Sequence, residues 1–164
     1  MTPPRVRPTS RVLVLDPQLR VLLLGSRGDT PAPGTGVQWW YTPGGGVEDG
    51  EDLRTAAVRE LAEEIGLVVP PASLEGPVWF RRHLTPWGGE VVDSRETYFV
   101  LRDVVHDVDP AGRTAQELAD DEPHRWWTPA EISAGSVVFA PRTLADLLAD
   151  VLAGPWSGPP RIVD

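Results

Sequence analysis

The chain contains no cysteine, no lysine and no asparagine, and only one methionine. Without cysteine, disulfides and thiolate-bound zinc are excluded, and the redox compartment is left open. No apolar run reaches the roughly 18 residues of a transmembrane helix, so no membrane association is expected. The opening stretch MTPPRVRPTS also lacks the apolar core of a signal peptide. The cytoplasm is therefore the default expectation. All basic side chains other than three histidines are arginines. Together with the abundance of Ala, Gly, Pro and Asp, this reads as compositional bias of the coding sequence. Positive charge is scarce overall: the net charge is −9. That balance argues against a nucleic-acid polymer as partner, and it admits a small anionic substrate only if positive charge is supplied locally.

What is present is ordinary for a folded protein. The 164 residues, 41% of them hydrophobic, suffice for one domain with a proper core. The apolar runs RVLVLD (11–16) and RVLLLG (20–25), separated by a turn, read as a hairpin. Residues 26–36 read as a Gly/Pro/Thr loop, and VQWWYT (37–42) is an expected strand. After a glycine-acid loop over 44–50, the spacing predicts a helix from Asp52 to Ile65, with Gly66 placed for a left-handed cap. Segments 78–85 and 90–102 read as a strand pair, and 124–128 as a further strand. Pro129 is placed to open a helix, and leucines at helical spacing make 141–154 amphipathic. The ends, 1–8 and 155–164, are Pro-rich and expected to be tails around a domain spanning 9–154.

The helix over 52–65 poses a chemical question. On a wheel of about 100° per residue, Leu53, Ala57, Leu61, Ile65 and Val58 form the buried stripe. Glu64 falls at the edge of that stripe, with Glu60 and Glu63 beside it. At spacing i, i+3, i+4 these carboxylates are neighbours, and like charges there repel. Partial burial raises that cost unless a cation or a proton relieves it. Arg59 can relieve one of the three. An acidic solvated face is the competing reading. A divalent cation is the more economical one, because three carboxylates without histidine or cysteine form a hard oxygen site suited to Mg²⁺ or Mn²⁺. Gly44, Gly45 and Gly46 just upstream permit a close backbone approach to a cation or a phosphate.

These residues carry a resemblance. The stretch is similar to the Nudix hydrolase signature, G-x5-E-x7-R-E-U-x-E-E-x-G-U with U aliphatic, and meets it at Gly45, Glu51, Arg59, Glu60, Leu61, Glu63, Glu64, Gly66 and Leu67. The resemblance implies an α/β Nudix fold, in which a mixed β-sheet is sandwiched between α-helices and the signature forms a loop-helix-loop catalytic motif. It implies Mg²⁺-dependent hydrolysis of a nucleoside diphosphate linked to another group X, with Mn²⁺ as a possible substitute. By position, Glu60, Glu63 and Glu64 would ligate the metal together with the Gly44 carbonyl. Glu63 would double as general base, and Arg59, paired with Glu51, would orient the glutamates. Gly45 and Gly66 would support the motif.

Beyond the signature the sequence offers candidates only. Some members of the family take a further acid from the loop before the strand at 124–128, and here Glu117, Asp120, Asp121 and Glu122 qualify. Arg27, Arg81 and Arg82 are candidate phosphate contacts. One tryptophan of each adjacent pair should face the core and the other outward or towards the cleft, and Trp40 is a candidate for stacking on a base. Subfamily marks for ADP-ribose or dinucleoside polyphosphate hydrolases do not appear at the expected offsets. By elimination, a MutT-like nucleoside triphosphate hydrolase giving nucleoside monophosphate and pyrophosphate is expected. ADP-ribose or nucleotide-sugar cleavage is the alternative, and a non-catalytic nucleotide sensor is the rival from another class. The aromatic strands would also permit a homodimer.

Overall fold

The structure, a computed structural model, describes residues 3–26, 39–87, 89–115 and 123–164. Two mixed sheets form its centre. The first comprises β1 (Arg5–Val14), β4 (Gly44–Gly46), β5 (Glu75–Trp87), β6 (Glu90–Leu101) and β9 (Arg161–Val163), in the order β4-β1-β6-β5-β9. The second comprises β2 (Val21–Ser26), β3 (Trp39–Tyr41), β7 (His124–Trp127) and β8 (Phe139–Ala140), in the order β7-β2-β3-β8. Among the described residues the α-helices are α1 (Leu53–Ile65), the short α2 (Pro129–Ser133) and α3 (Leu144–Leu152).

Strand alternation divides the apolar residues between two cores. Leu13, Leu15, Val21, Leu23, Tyr98, Val100 and Trp127 point to one side, where they meet Leu144, Leu147, Leu148 and Val151 of α3. Their sequence neighbours Val12, Val14, Leu22, Leu24, Phe99 and Leu101 point to the other, against Ala57, Leu61 and Ile65 of α1. The sheets therefore lie between helices, as the resemblance implied. None of the helices among the described residues is long and apolar enough to cross a membrane.

Double burial also explains a departure from the expected hairpin. Runs 12–15 and 21–24 are apolar at every position because both faces are covered, as in central strands. They accordingly sit in different sheets, and only an isolated bridge, Leu15 to Val21, joins them. The turn between them is held by Asp16, whose carboxylate accepts from the Gln18 and Arg20 amides at 3.0 and 2.8 Å.

The expected tails are corrected as well. Residues from Arg5 onward belong to β1, which runs parallel to β6 from Arg5 opposite Val92 to Val14 opposite Leu101. At the other end, β9 adds to the edge of β5, with Ile162 opposite Phe80. Arg102 anchors this return, pairing with Glu75 at 2.8 Å and donating to the Val151 and Gly154 carbonyls at 2.9 and 2.7 Å.

Helix α1 follows its sequence signals closely. The Asp52 carboxylate caps it, accepting from the Arg54 and Thr55 amides at 2.9 and 3.0 Å. Gly66 ends it at φ +70. Leu67, whose amide reaches the Leu61 carbonyl at 3.2 Å, packs on the α1 core. In α2, Thr128 and Glu131 form a reciprocal capping box, with Pro129 at the first helical position.

Candidate active site

Strand β4 consists of three glycines at the edge of the first sheet, and α1 lies just beyond it. Side chains of α1 can therefore reach past this edge to the other side of the sheet. A Cβ on Gly45 would stand 2.4 Å from Glu60 Oε1, so the absence of one seats the Glu60 carboxylate against the backbone. Gly44, at φ +139, donates its amide to Glu64 Oε2 at 2.7 Å. Glu64 is buried, at 6% exposure, while the Glu63 side chain is 44% exposed.

Arg59 gathers the remaining acids. It grips Glu51 with two parallel bonds of 3.0 Å, from Nε and Nη2. Its Nη1 donates to Glu60 at 2.8 Å and to Glu63 at 3.4 Å, and Nη2 also donates to the Gly46 carbonyl at 2.9 Å. The paired glutamates hold the guanidinium's pKa above its ordinary value. Burial pushes the Glu60 carboxyl up, with Glu63 adding to that effect against Arg59. One arginine is thus shared among several acids, and negative charge remains in excess.

Glu60, Glu64 and the β4 glycines border a cavity of about 740 Å³. Its floor is the face of β1, β6 and β5 that carries Arg7, Arg11, Ser94, Glu96, Tyr98, Arg81 and His83. The second sheet adds Trp39, Tyr41 and Phe139, and Arg142 follows β8. Burial lowers the pKa of His83. Cations and carboxylates thus face one space within a chain that is acidic overall.

Among the described residues, no three Asp, Glu or His side chains converge as they stand into a group that could hold a metal ion. Glu60 and Glu63 are instead both bonded to Arg59. The donor set nevertheless fits a hard divalent cation: every donor is oxygen, and burial disfavours the charge on Glu60 until a cation compensates it.

The sequence model of the NUDIX domain matches residues 5–148. The chain belongs to the Nudix family. Relatives include a protein of Dinoroseobacter shibae named RNA pyrophosphohydrolase, 32% identical over 123 residues that cover 70% of this chain and 72% of that one. Nudix hydrolase 25 of Arabidopsis thaliana is 28% identical over 157 residues, covering 89% and 86% of the two chains. Among solved structures, a MutT protein from Methanosarcina mazei Go1 superposes with a TM-score of 0.59 at 18% identity, over 91% of this chain and 94% of that one. An Ap4A hydrolase from C. elegans gives the same score and identity over 90% and 98%. The protein is a Nudix hydrolase, and hydrolases of this family generally use divalent metal ions.

Outside the Nudix helix the sequence candidates fare unevenly. Arg81 lies in the cavity floor, but its Nη1 is committed to Glu96 at 3.0 Å. Arg82, one residue on, points to the opposite face and pairs with Asp93 at 2.7 Å. Trp40 does not line the cavity: at 6% exposure it is core, packed edge-on against Trp127 at 5.1 Å. Alternation along β3 turns Trp39 to the cavity instead. Arg27, Glu117, Asp120, Asp121 and Glu122 lie outside the described residues.

Sequence reasoning missed Arg7, Arg11, His83, Glu96 and Arg142. A signal existed for most of them. Arg7 and Arg11 share strand parity, as do Arg81 with His83 and Ser94 with Glu96. That parity acquires meaning only once β1, β5 and β6 are known to adjoin.

Proposed function

We propose that this Nudix hydrolase cleaves a phosphoanhydride bond in a nucleoside diphosphate linked to a group X, with Mg²⁺ as cofactor. A nucleoside triphosphate giving nucleoside monophosphate and pyrophosphate is the simplest substrate. One observation carries the reading: helix carboxylates and strand arginines line the same cavity, Glu60 and Glu64 at the glycine edge and Arg7, Arg11, Arg81 and Arg142 around it. Polyphosphate oxygens need cations, and a carboxylate-held divalent ion needs an anionic ligand to neutralise it.

Glu60, Glu63 and Glu64, with the Gly44 carbonyl, would hold the ion. When bound, it shields the phosphate charge and lowers the pKa of water. Glu63 accepts the proton of the attacking water as an oxygen–phosphorus bond forms and the anhydride bond breaks. Arg59 acts on the glutamates and not on the substrate, since its donors are taken up by Glu51, Glu60, Glu63 and Gly46. Arg7, placed where a Gly46 side chain would meet it at 3.3 Å, stands beside the helix carboxylates and suits a phosphate oxygen.

A second substrate reading is the 5′-triphosphate end of an RNA. The relatives named RNA pyrophosphohydrolase favour it, as does Arg5 on the same strand face as Arg7. Net charge does not weigh against it, because the cavity's charge differs from that of the whole chain.

The test is ³¹P NMR with Mg²⁺ and a panel of nucleoside triphosphates, a 5′-triphosphorylated oligoribonucleotide, a dinucleoside tetraphosphate, ADP-ribose and nucleotide sugars. Metal-dependent release of a nucleoside monophosphate, or of a 5′-monophosphorylated RNA, is expected. Tight binding of one compound without turnover would replace the hydrolytic reading with a sensor.

A further inference from the structure

Two largely withdrawn charges in the cavity floor are paired with each other. Glu96 on β6 and Arg11 on β1 pair at 3.3 Å, with side chains only 5% and 18% exposed. Glu96 is also bonded by Tyr98 Oη at 2.8 Å and by Arg81 Nη1 at 3.0 Å. Arg11 spends its Nη1 on backbone, donating to the Thr42 carbonyl at 3.2 Å and to the Gly44 carbonyl at 2.9 Å. The Gly44 amide in turn donates to Glu64 at 2.7 Å. A continuous chain of contacts therefore runs from Glu96 through Arg11 and the backbone of Gly44 to a carboxylate of the Nudix helix.

The arrangement asks why a buried arginine should stand beside a carbonyl assigned to a cation. An uncompensated guanidinium there would repel the ion. Glu96, which it shares with Arg81, offsets part of that charge while the hydrogen bond orients the carbonyl. The carbonyl keeps a second lone pair for another partner.

We infer that Glu96 is a positioning residue for the metal site: through Arg11 it fixes the backbone of Gly44, whose amide sets the Glu64 carboxylate and whose carbonyl would face the ion. The inference rests on the metal reading above. Partners of this kind, one bond removed from the ligands, alter affinity without touching the ion.

The test compares wild type, Glu96→Gln, Arg11→Lys and Arg82→Gln. Arg11→Lys keeps the charge but loses the planar fork that spans Glu96 and the two carbonyls. It also serves if Glu96→Gln does not fold. Arg82→Gln, on the opposite face of β5, is the control. Mn²⁺ binding is read from the free-ion EPR signal, and exchange of the Gly44 amide is read by NMR on metal-free protein. For Glu96→Gln and Arg11→Lys we expect Mn²⁺ affinity about 10- to 100-fold weaker, with faster Gly44 exchange. Arg82→Gln should match wild type in both. Lower thermal stability with wild-type Mn²⁺ affinity and Gly44 exchange would overturn the inference alone, because a purely structural role predicts that pattern. Absence of Mn²⁺ binding by the wild type would overturn the metal reading and this inference with it.

Discussion

Consecutive residues of β5 and β6 build two ion-pair networks from the same chemistry. On the cavity face, Arg81 and Arg11 share Glu96, and the acid and both arginines are largely withdrawn from water. On the outward face, Arg82 and Arg95 share Asp93, with arginine side chains 68% and 56% exposed. A step of one residue along β5 moves the arginine from a concave, partly dry site to open solvent, while the side chains of both acids, Glu96 and Asp93, stay 5% exposed. Exposure of the arginines, not pairing, is what separates the two networks. A pair in water contributes little and is screened by salt, while a buried one constrains whatever it touches.

The largest contrast should come from the acids at the cavity edge. If Glu63 accepts the proton of the attacking water, Glu63→Gln lowers kcat by about 10²- to 10⁴-fold with little change in fold by circular dichroism. Asp93→Asn, on the outward face, should leave kcat at the wild-type value. Equal activity of wild type and Glu63→Gln would remove the assignment.

The next contrast lies within β4. Alanine at Gly45 would press on the end of the flexible Glu60 side chain at 2.4 Å, whereas alanine at Gly44 would meet the Ser10 carbonyl at 2.1 Å from a φ of +139. Gly45→Ala should therefore reduce activity and Mn²⁺ affinity while thermal stability holds. Gly44→Ala should lower stability outright. Similar melting curves for the two variants would break this distinction.

The smallest effect concerns pH and salt. Burial alone would raise the Glu96 carboxyl, but Arg11, Tyr98 and Arg81 outweigh it and hold it below the usual range. The Arg82 hydrogen bond, with help from Arg95, lowers Asp93. A carboxylate depressed on folding contributes stability that is full above its unfolded value and is lost as pH falls through the folded one. Both networks should therefore weaken in acid. Thermal unfolding of Glu96→Gln and Asp93→Asn from pH 7 to pH 3 would show flatter pH profiles than wild type. High salt should erase the difference for Asp93→Asn and spare it for Glu96→Gln. Equal salt sensitivity would mean that the cavity floor is as wet as the outer face.

How far the sequence discloses this arrangement depends on the range of the interaction. Helix α1 was legible to within a residue, because Asp52, the apolar period and Gly66 are local signals. The antiparallel pair of β5 and β6 was legible for the same reason. Strand β1 was only half legible: Arg5 to Pro8 look like a loose tail until β6 lies alongside, and nothing near them in sequence announces that neighbour. Strand β9 was missed likewise, since its partner is the remote edge of β5. Trp39 and Trp40 were correctly split between core and cleft in principle, but their order depends on where β3 begins. Runs 12–15 and 21–24 carry no alternation at all, so periodicity could not say that they enter different sheets.

The three glycines of β4 have one more consequence. At that edge, bare of side chains, Glu60 and Glu64 reach the cavity from a helix rooted in one core, while Trp39, Phe139 and Arg142 wall it from the opposite side of the sheet. The part suited to bond breaking and the part suited to selecting a substrate thus rest on separate foundations and meet only at a gap in the sheet. Residues of the wall can be exchanged without disturbing the packing of α1. A new preference among phosphorylated compounds could then arise by drift on one side of the molecule alone.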